Sequence, residues 1–292
     1  MKKWIKVFTA FLAIILIASA TVSVPAFAKS KTRTIKVGIM SGDKNDDKKW
    51  ALVAKNAKKY GLKLKFTHFT DYSQPNAALA NGDIDVNAFQ HYAFLKNWNK
   101  QNNGTLVSVG DTTLGPSRLY SGTDASGKDK YKSVKDLPKG ATIAIANDAT
   151  NGARALLLLN AAGVITTEKG NANPTVQDIV KNPKNIKIKE VAADQTLPAL
   201  ADADAAVISQ NYVEAAGKDI NSAIYTWGGK AGKLTHQWIN LIAARKEDKN
   251  KLYIKNLVKA YHKKNVANLI NKIYNGAEVP AWKGAPQPKE SN

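Results

Sequence analysis

The chain has 292 residues, 44% of them hydrophobic and 23% charged, with 43 Lys and Arg against 23 Asp and Glu. That length suits one large domain or two medium ones with real cores, and the lack of cysteine excludes disulfides and thiolate metal sites. A net charge of +20 fits nucleic acid, an anionic surface or plain solubility. The lysines are dispersed, with pairs such as Lys48-Lys49, Lys58-Lys59 and Lys263-Lys264, and no aromatics interleave with Arg. No nucleic-acid partner is therefore expected.

The N-terminus has the form of a secretion signal. Lys2, Lys3 and Lys6 precede a mostly apolar run from Phe8 to Ala20, and Ala26-Phe27-Ala28 offers small residues for cleavage. The run is shorter than the ~20 apolar residues of a spanning helix, so residues 1–28 are expected to be a cleaved signal peptide. Removing them takes away three lysines and no acid, leaving 40 basic against 23 acidic side chains. The expectation is an exported protein at the extracellular face of the membrane or cell surface. With no cysteine to carry a lipid it should not be lipid-anchored, and anionic cell-wall polymers or the membrane surface could hold it by charge.

Beyond the leader, Thr34–Met40 alternates as a strand, and a helix opens at Asp46 and Asp47 and runs to Tyr60, stopped by Gly61. Leu62–Phe69 alternates again, Pro75 opens a short helix to Ala80, and Asn81-Gly82 ends it. A strand over Ile84–Ala88, a helix over Gln90–Gln101 and a strand over Leu106–Gly110 complete a first α/β set. The second set has a strand over Thr142–Ala146, a polar turn and an apolar helix over Arg154–Ala162 before Gly163. Strands over Ile186–Val191, Ala205–Ile208 and Trp238–Arg245 follow, then one long amphipathic helix over Lys249–Ile273 and a loose tail from Ala277. This rhythm predicts an α/β fold with largely parallel sheets in two lobes, with ligands at the carboxyl ends of the strands.

Catalytic signatures are missing. His68, His91, His236 and His262 do not pair at metal-ligand spacing, there is no GxSxG elbow, and Gly228–Lys233 fails as a phosphate loop because Trp227 and Leu234 occupy its fixed positions. No enzyme, cofactor or metal is expected. Binding signatures are richer. Asn147–Arg154 joins a strand to an apolar helix that Thr150 or Asn151 can cap, with Arg154 in its first turn. There the guanidinium either forks onto a ligand carboxylate or pairs with solvent or an acid. Asp71–Asn76 and Asn87–Tyr92 gather aromatics and amides at strand ends, as an amino-acid pocket needs. On residue type alone, Phe89 suits a core as well as a ligand wall, and His91 a surface as well as a site.

Three ordered blocks, DYSQPNAALANGDIDVNAFQH (Asp71–His91), AIANDATNGARALLLLNAAGVI (Ala144–Ile165) and DADAAVISQNYVEAAG (Asp202–Gly217), resemble the methionine-binding lipoproteins, the NLPA-type binding proteins of ABC importers. The resemblance spans nearly all the mature chain. It implies a two-lobed, periplasmic-binding-protein-like clamp, with lobe 1 formed by 29–117 plus 236–292 and lobe 2 by 118–235. It implies a small methionine-like amino acid as ligand, an ABC permease and ATPase as partners, and a monomer. Residue by residue, Arg154 clamps the α-carboxylate, Tyr72, Phe89 and His91 line the pocket, and Asn211 and Asn240 bind the head group. Ser209 stands where the family has Asn and Trp238 where it has Tyr, so these two positions bear on specificity. The alternative is a basic, adhesin-like surface protein on the same fold.

Overall fold

The computed structural model describes residues 32–228 and 236–287. The expected signal peptide lies outside the described residues, as does most of the Gly228–Lys233 segment. In chain order the first half reads β1 (Arg33–Met40), α1 (Lys44–Ala57), β2 (Leu62–Phe69), α2 (Gln74–Asn81), β3 (Val86–His91), α3 (Tyr92–Asn102), β4 (Leu106–Asp111), β5 (Thr113–Leu114) and β6 (Ser117–Ser121). There follow β7 (Thr142–Ala146), α4 (Ala149–Ala161), β8 (Thr166–Thr167), β9 (Ile179–Lys181), β10 (Lys187–Val191), β11 (Ala205–Val207), α5 (Gln210–Ala215) and β12 (Ala223–Trp227). The last elements are β13 (Asn240–Arg245), α6 (Leu252–Tyr261), α7 (Lys264–Tyr274) and β14 (Val279–Pro280).

Two five-stranded sheets organise these elements, in the orders β2-β1-β3-β13-β4 and β10-β7-β11-β6-β12. In the first, β1 runs parallel to β2 and β3, while β13 is antiparallel to both its neighbours. In the second, β7 is parallel to β10 and β11, and β6 is antiparallel to β11 and β12. The α/β class is as expected, and the sheets are mixed because β13 and β6 enter each from the opposite direction.

Local sequence explains the framework. In β1, Ile35, Val37 and Ile39 alternate onto a face covered by Trp50 and Val53 of α1 and by Ile254, Leu257, Ile270 and Tyr274 of α6 and α7. The opposite face of that sheet buries Met40, Leu79, Ile84, Leu95, Leu241 and Ala243. The second sheet divides likewise. Ile143 and Ile145 pack under α4, while Ala144 and Ala206 face Leu200 and Val213. Helix α1 starts where the Asp43 carboxylate accepts from the N–H groups of Asn45 and Asp46, with Asp46 and Asp47 in its positive first turn.

Several boundaries differ from expectation. Helix α4 begins five residues early because Asp148, not Thr150 or Asn151, caps it, accepting from both their N–H groups. Arg154 therefore sits in the second turn, beyond the close reach of the helix terminus. β3 runs on to His91, whose ring caps α3. Trp238 lies in a short 3₁₀ turn before β13. The long C-terminal helix is two helices, broken where His262 bonds the Asp111 carbonyl at 2.7 Å and stacks on Trp282. The tail is not loose up to Gln287: Ala277 and Trp282 are buried and β14 pairs with β5.

Candidate binding site

Buried amides fix the two motif loops. Asn76, Asn87 and Gln90 form a closed network in which Asn76 donates to Gln90 Oε1 at 2.8 Å, and Asn87 and Gln90 donate back to Asn76 Oδ1 at 2.9 and 2.6 Å. These amides serve the scaffold, and the aromatics beside them are left for the cavity. Tyr72 stands 5.7 Å from Phe89, 6.0 Å from Phe94 and 5.2 Å from Tyr212, ring centre to ring centre.

A cavity of about 140 Å³ lies between the two sheets. It is smaller than the ~300–1,000 Å³ of drug-sized sites, as a single small ligand requires. Tyr72, Phe89, His91 and Asn240 line it from the first sheet and its loops, and Arg154, Ser209 and Asn211 from the second. Seven of the eight expected residues thus meet in one place. The eighth, Trp238, stands behind the wall. It is buried, edge-on to His91 at 5.1 Å and 5.1 Å from the Arg154 guanidinium over its ring. Its reach toward a ligand is indirect, through Arg154.

Arg154 is the charged centre. Its Nη2 donates to the Gly115 carbonyl at 2.6 Å, while its Nε is out of solvent with no partner. No acid pairs with it among the described residues. Burial, helped by the charge of Arg118, pulls its pKa down to about 10. A cation so placed calls for an anion. Asn211 Nδ2 is likewise enclosed without a partner, its Oδ1 being taken by the Tyr72 hydroxyl at 2.6 Å. Burial raises the Tyr72 phenol well above its usual range, so it stays a donor.

His91 is neutral, and its tautomer follows from its neighbours. Nδ1 accepts from the Phe94 N–H at 3.1 Å, so Nε2 carries the hydrogen and donates to Asn151 Oδ1 at 3.2 Å. Burial, then the Arg154 charge, pushes its pKa down to about 4. Ser209 opens α5 without a side-chain cap bond, leaving its hydroxyl beside Tyr72. Asn240 begins β13 opposite His91.

Sequence reading missed Phe94, Tyr212, Gln210 and the Gly115 carbonyl. Phe94 follows His91 by three residues on α3, a spacing that could have flagged it. The Gly115 carbonyl offers no residue-type signal. Among the described residues no group of His, Asp or Glu forms a metal site.

Comparisons with known proteins bear on the family and the fold. A family model described as NlpA lipoprotein matches residues 35–282. Outer membrane lipoprotein 1 of Mannheimia haemolytica is 37% identical over 91% of each chain. The D-methionine-binding lipoprotein MetQ of Escherichia coli K12 is 38% identical over 85% of this chain and 88% of its own. Among solved structures, the substrate-binding protein of a methionine transporter from Streptococcus pneumoniae superposes with a TM-score of 0.79 at 42% identity, covering 85% of this chain and 96% of its own. A nutrient-binding protein from Burkholderia cenocepacia bound to methionine gives 0.77 at 43%, covering 85% and 100%.

These relatives correct one expectation. The protein was expected to be exported but not lipid-anchored; a lipoprotein family model and relatives named lipoproteins overturn the second half. Nothing in the comparisons supports anionic wall polymers as partners. With residues 35–282 matched by the family model and a relative 38% identical over 85% of its length, the chain belongs to the NlpA lipoprotein family.

Proposed function

We propose that this protein is the extracytoplasmic solute-binding component of an ABC importer and that its ligand is L-methionine or a close methionyl compound. The observation that carries the reading is the pair of enclosed, unpartnered donors, Arg154 Nε and Asn211 Nδ2, facing one cavity with an aromatic wall. A free amino acid supplies the missing acceptor: its α-carboxylate completes Arg154, and charge-assisted bonds of this kind are the strong ones. Asn211 and Asn240 bind the head group. Tyr72, Phe89 and His91 enclose an apolar side chain, and a neutral His91 adds no charge against a thioether. Relatives named for methionine support this ligand class.

Residues 29–117 with 236–292 form one lobe and 118–235 the other, and contacts to both make the ligand favour the closed form. The permease and ATPase then act on that form. The protein works as a monomer and performs no catalysis.

Thermal unfolding of ligand-stripped protein against a panel of amino acids tests the reading. L-Methionine at ~100 times its Kd adds ~2.7 kcal/mol and raises Tm by several degrees. A rise only with another amino acid moves the substrate; no rise with any overturns the proposal.

A further inference from the structure

The helix that brings Asn211 to the cavity also carries an acid toward an acid of the other sheet's layer. Glu214 lies one turn beyond Asn211 on α5, and α5 is seated against the turn between β1 and α1. A Cβ on Gly42 would stand 2.8 Å from the Ala215 Cβ, so the approach leaves no slack there. Beside Gly42 is Asp43, which is buried and lines the same small cavity as Glu214 at the seam between α1 and α5.

Two carboxyl groups brought together out of water favour a state in which one holds a proton. On Asp43, Oδ1 takes the N–H groups of Asn45 and Asp46 at 2.8 and 2.9 Å. On Glu214, Oε1 accepts from Gln210 Nε2 at 3.1 Å, while Oε2 is enclosed with no partner. A hydrogen on Oε2, donated to Asp43, satisfies that orphan.

The surroundings favour this. On the α1 side, Lys44 and Lys48 are exposed to water, and the buried Lys49 is engaged by Asp46. From the C-terminal segment, Glu278 adds negative charge, and the Tyr274 phenol, far above its usual range, is uncharged. Past α5, Lys218 is tied to Asp129 at 2.8 Å, and Asp219 is another acid. Behind α5, Arg118 spends its guanidinium on Gln210 Oε1 and the Ala277 carbonyl. No cation forms an ion pair with Glu214 among the described residues.

We propose that Glu214 and Asp43 share one proton across the cleft, and that this proton latches α5, and with it Asn211, in the ligand-binding position. The proposal rests on the amino-acid-binding reading and adds a regulation to it. Glu214 is a positioning residue: it touches no ligand.

Burial, then the contact and charge of Asp43, raises the Glu214 pKa to about 9 in this arrangement. With the lobes apart the side chain meets water and titrates near the ordinary ~4.3. Closure therefore takes up a proton between those values. Affinity is full below ~4.3, declines as pH rises, and reaches its floor above about 9.

The test is calorimetric titration of L-methionine into the ligand-stripped protein between pH 6 and 9, in buffers of different ionisation enthalpy. The wild type should take up protons on binding and lose at least about tenfold in affinity across the range. Glu214→Gln keeps the hydrogen-bond donor without the titration and should show a flat profile. Asp43→Asn, which still caps α1, should flatten it too and serves if the first variant does not fold. Absence of proton uptake by the wild type, or equal slopes in all three proteins, overturns the latch. Should L-methionine bind at no pH, the ligand reading fails, and the latch is read without ligand. The radius of gyration by small-angle scattering should then grow from pH 6 to 9 in the wild type and stay constant in Glu214→Gln; no difference between them overturns it.

Discussion

The Tyr72 hydroxyl donates to Asn211 Oδ1 across 2.6 Å, joining the loop after β2 to the helix after β11. With the bond from His91 Nε2 to Asn151 Oδ1, it ties the two sheets together at the cavity. It also fixes the Asn211 amide so that Nδ2, not Oδ1, is left for a ligand. Tyr72→Phe keeps the ring and loses the tie. A bond of ~0.5–1.5 kcal/mol corresponds to a two- to tenfold loss of methionine affinity, read by calorimetry, with Tm of the ligand-free protein nearly unchanged.

Arg154→Met separates binding from folding. The guanidinium has no acid partner among the described residues, so its removal relieves a buried cation without a counter-charge while losing the bond to Gly115. The ligand-free protein should unfold within a few degrees of wild type. Affinity should fall about a hundredfold or more, since a buried charged contact is worth ~2–5 kcal/mol. Arg154→Lys should not rescue it, because an ammonium cannot bond Gly115 and fork onto a carboxylate together.

His91 gives the protein an acid-side limit. Its folded pKa, about 4, lies below the unfolded ~6.5, so the unfolded chain takes up the proton first as pH falls. The stability it confers is full above ~6.5 and is lost by up to about 3 kcal/mol on descending to ~4. Denaturant unfolding at several pH values should show a decline that is shallower in His91→Gln. An imidazole resonance titrating near 6.5 in the folded protein would refute the assignment.

The buried amide network makes a different forecast. Asn76→Ala leaves Gln90 Oε1 without its donor and the Asn87 and Gln90 amides without their shared acceptor. The expected cost is roughly 1–3 kcal/mol, seen as a lower denaturation midpoint. Ligand-saturated protein should still bind, more weakly, because Tyr72 and Phe89 hang from the loop and strand this network joins.

Some of the molecule was legible in order of residues alone. Alternation in β1 and β2, the Asp-rich opening of α1 and the Gly stops at 61 and 82 are local effects, decided within a few residues of chain. The break between α6 and α7 was not local. Residues 249–273 keep an unbroken amphipathic period, and it is the Asp111 carbonyl, about 150 positions away, that draws His262 aside. The start of α4 was misplaced because Asp148, Thr150 and Asn151 are all residue types that can cap it, and only the backbone path let Asp148 do so.

The sequence by itself determined which residue types are on offer to an amino-acid ligand: a guanidinium for a carboxylate, amides for a head group and aromatics for an apolar side chain. Tertiary structure decided the roles. Trp238 was moved behind Arg154, Asn87 and Gln90 were given to the scaffold, Phe94 was added to the wall with Tyr212 packed on Tyr72, and Glu214 was brought to the same small cavity as Asp43. The reason is physical: chemistry resides in the side chain, but partnership, burial and protonation depend on which distant segment the fold brings alongside.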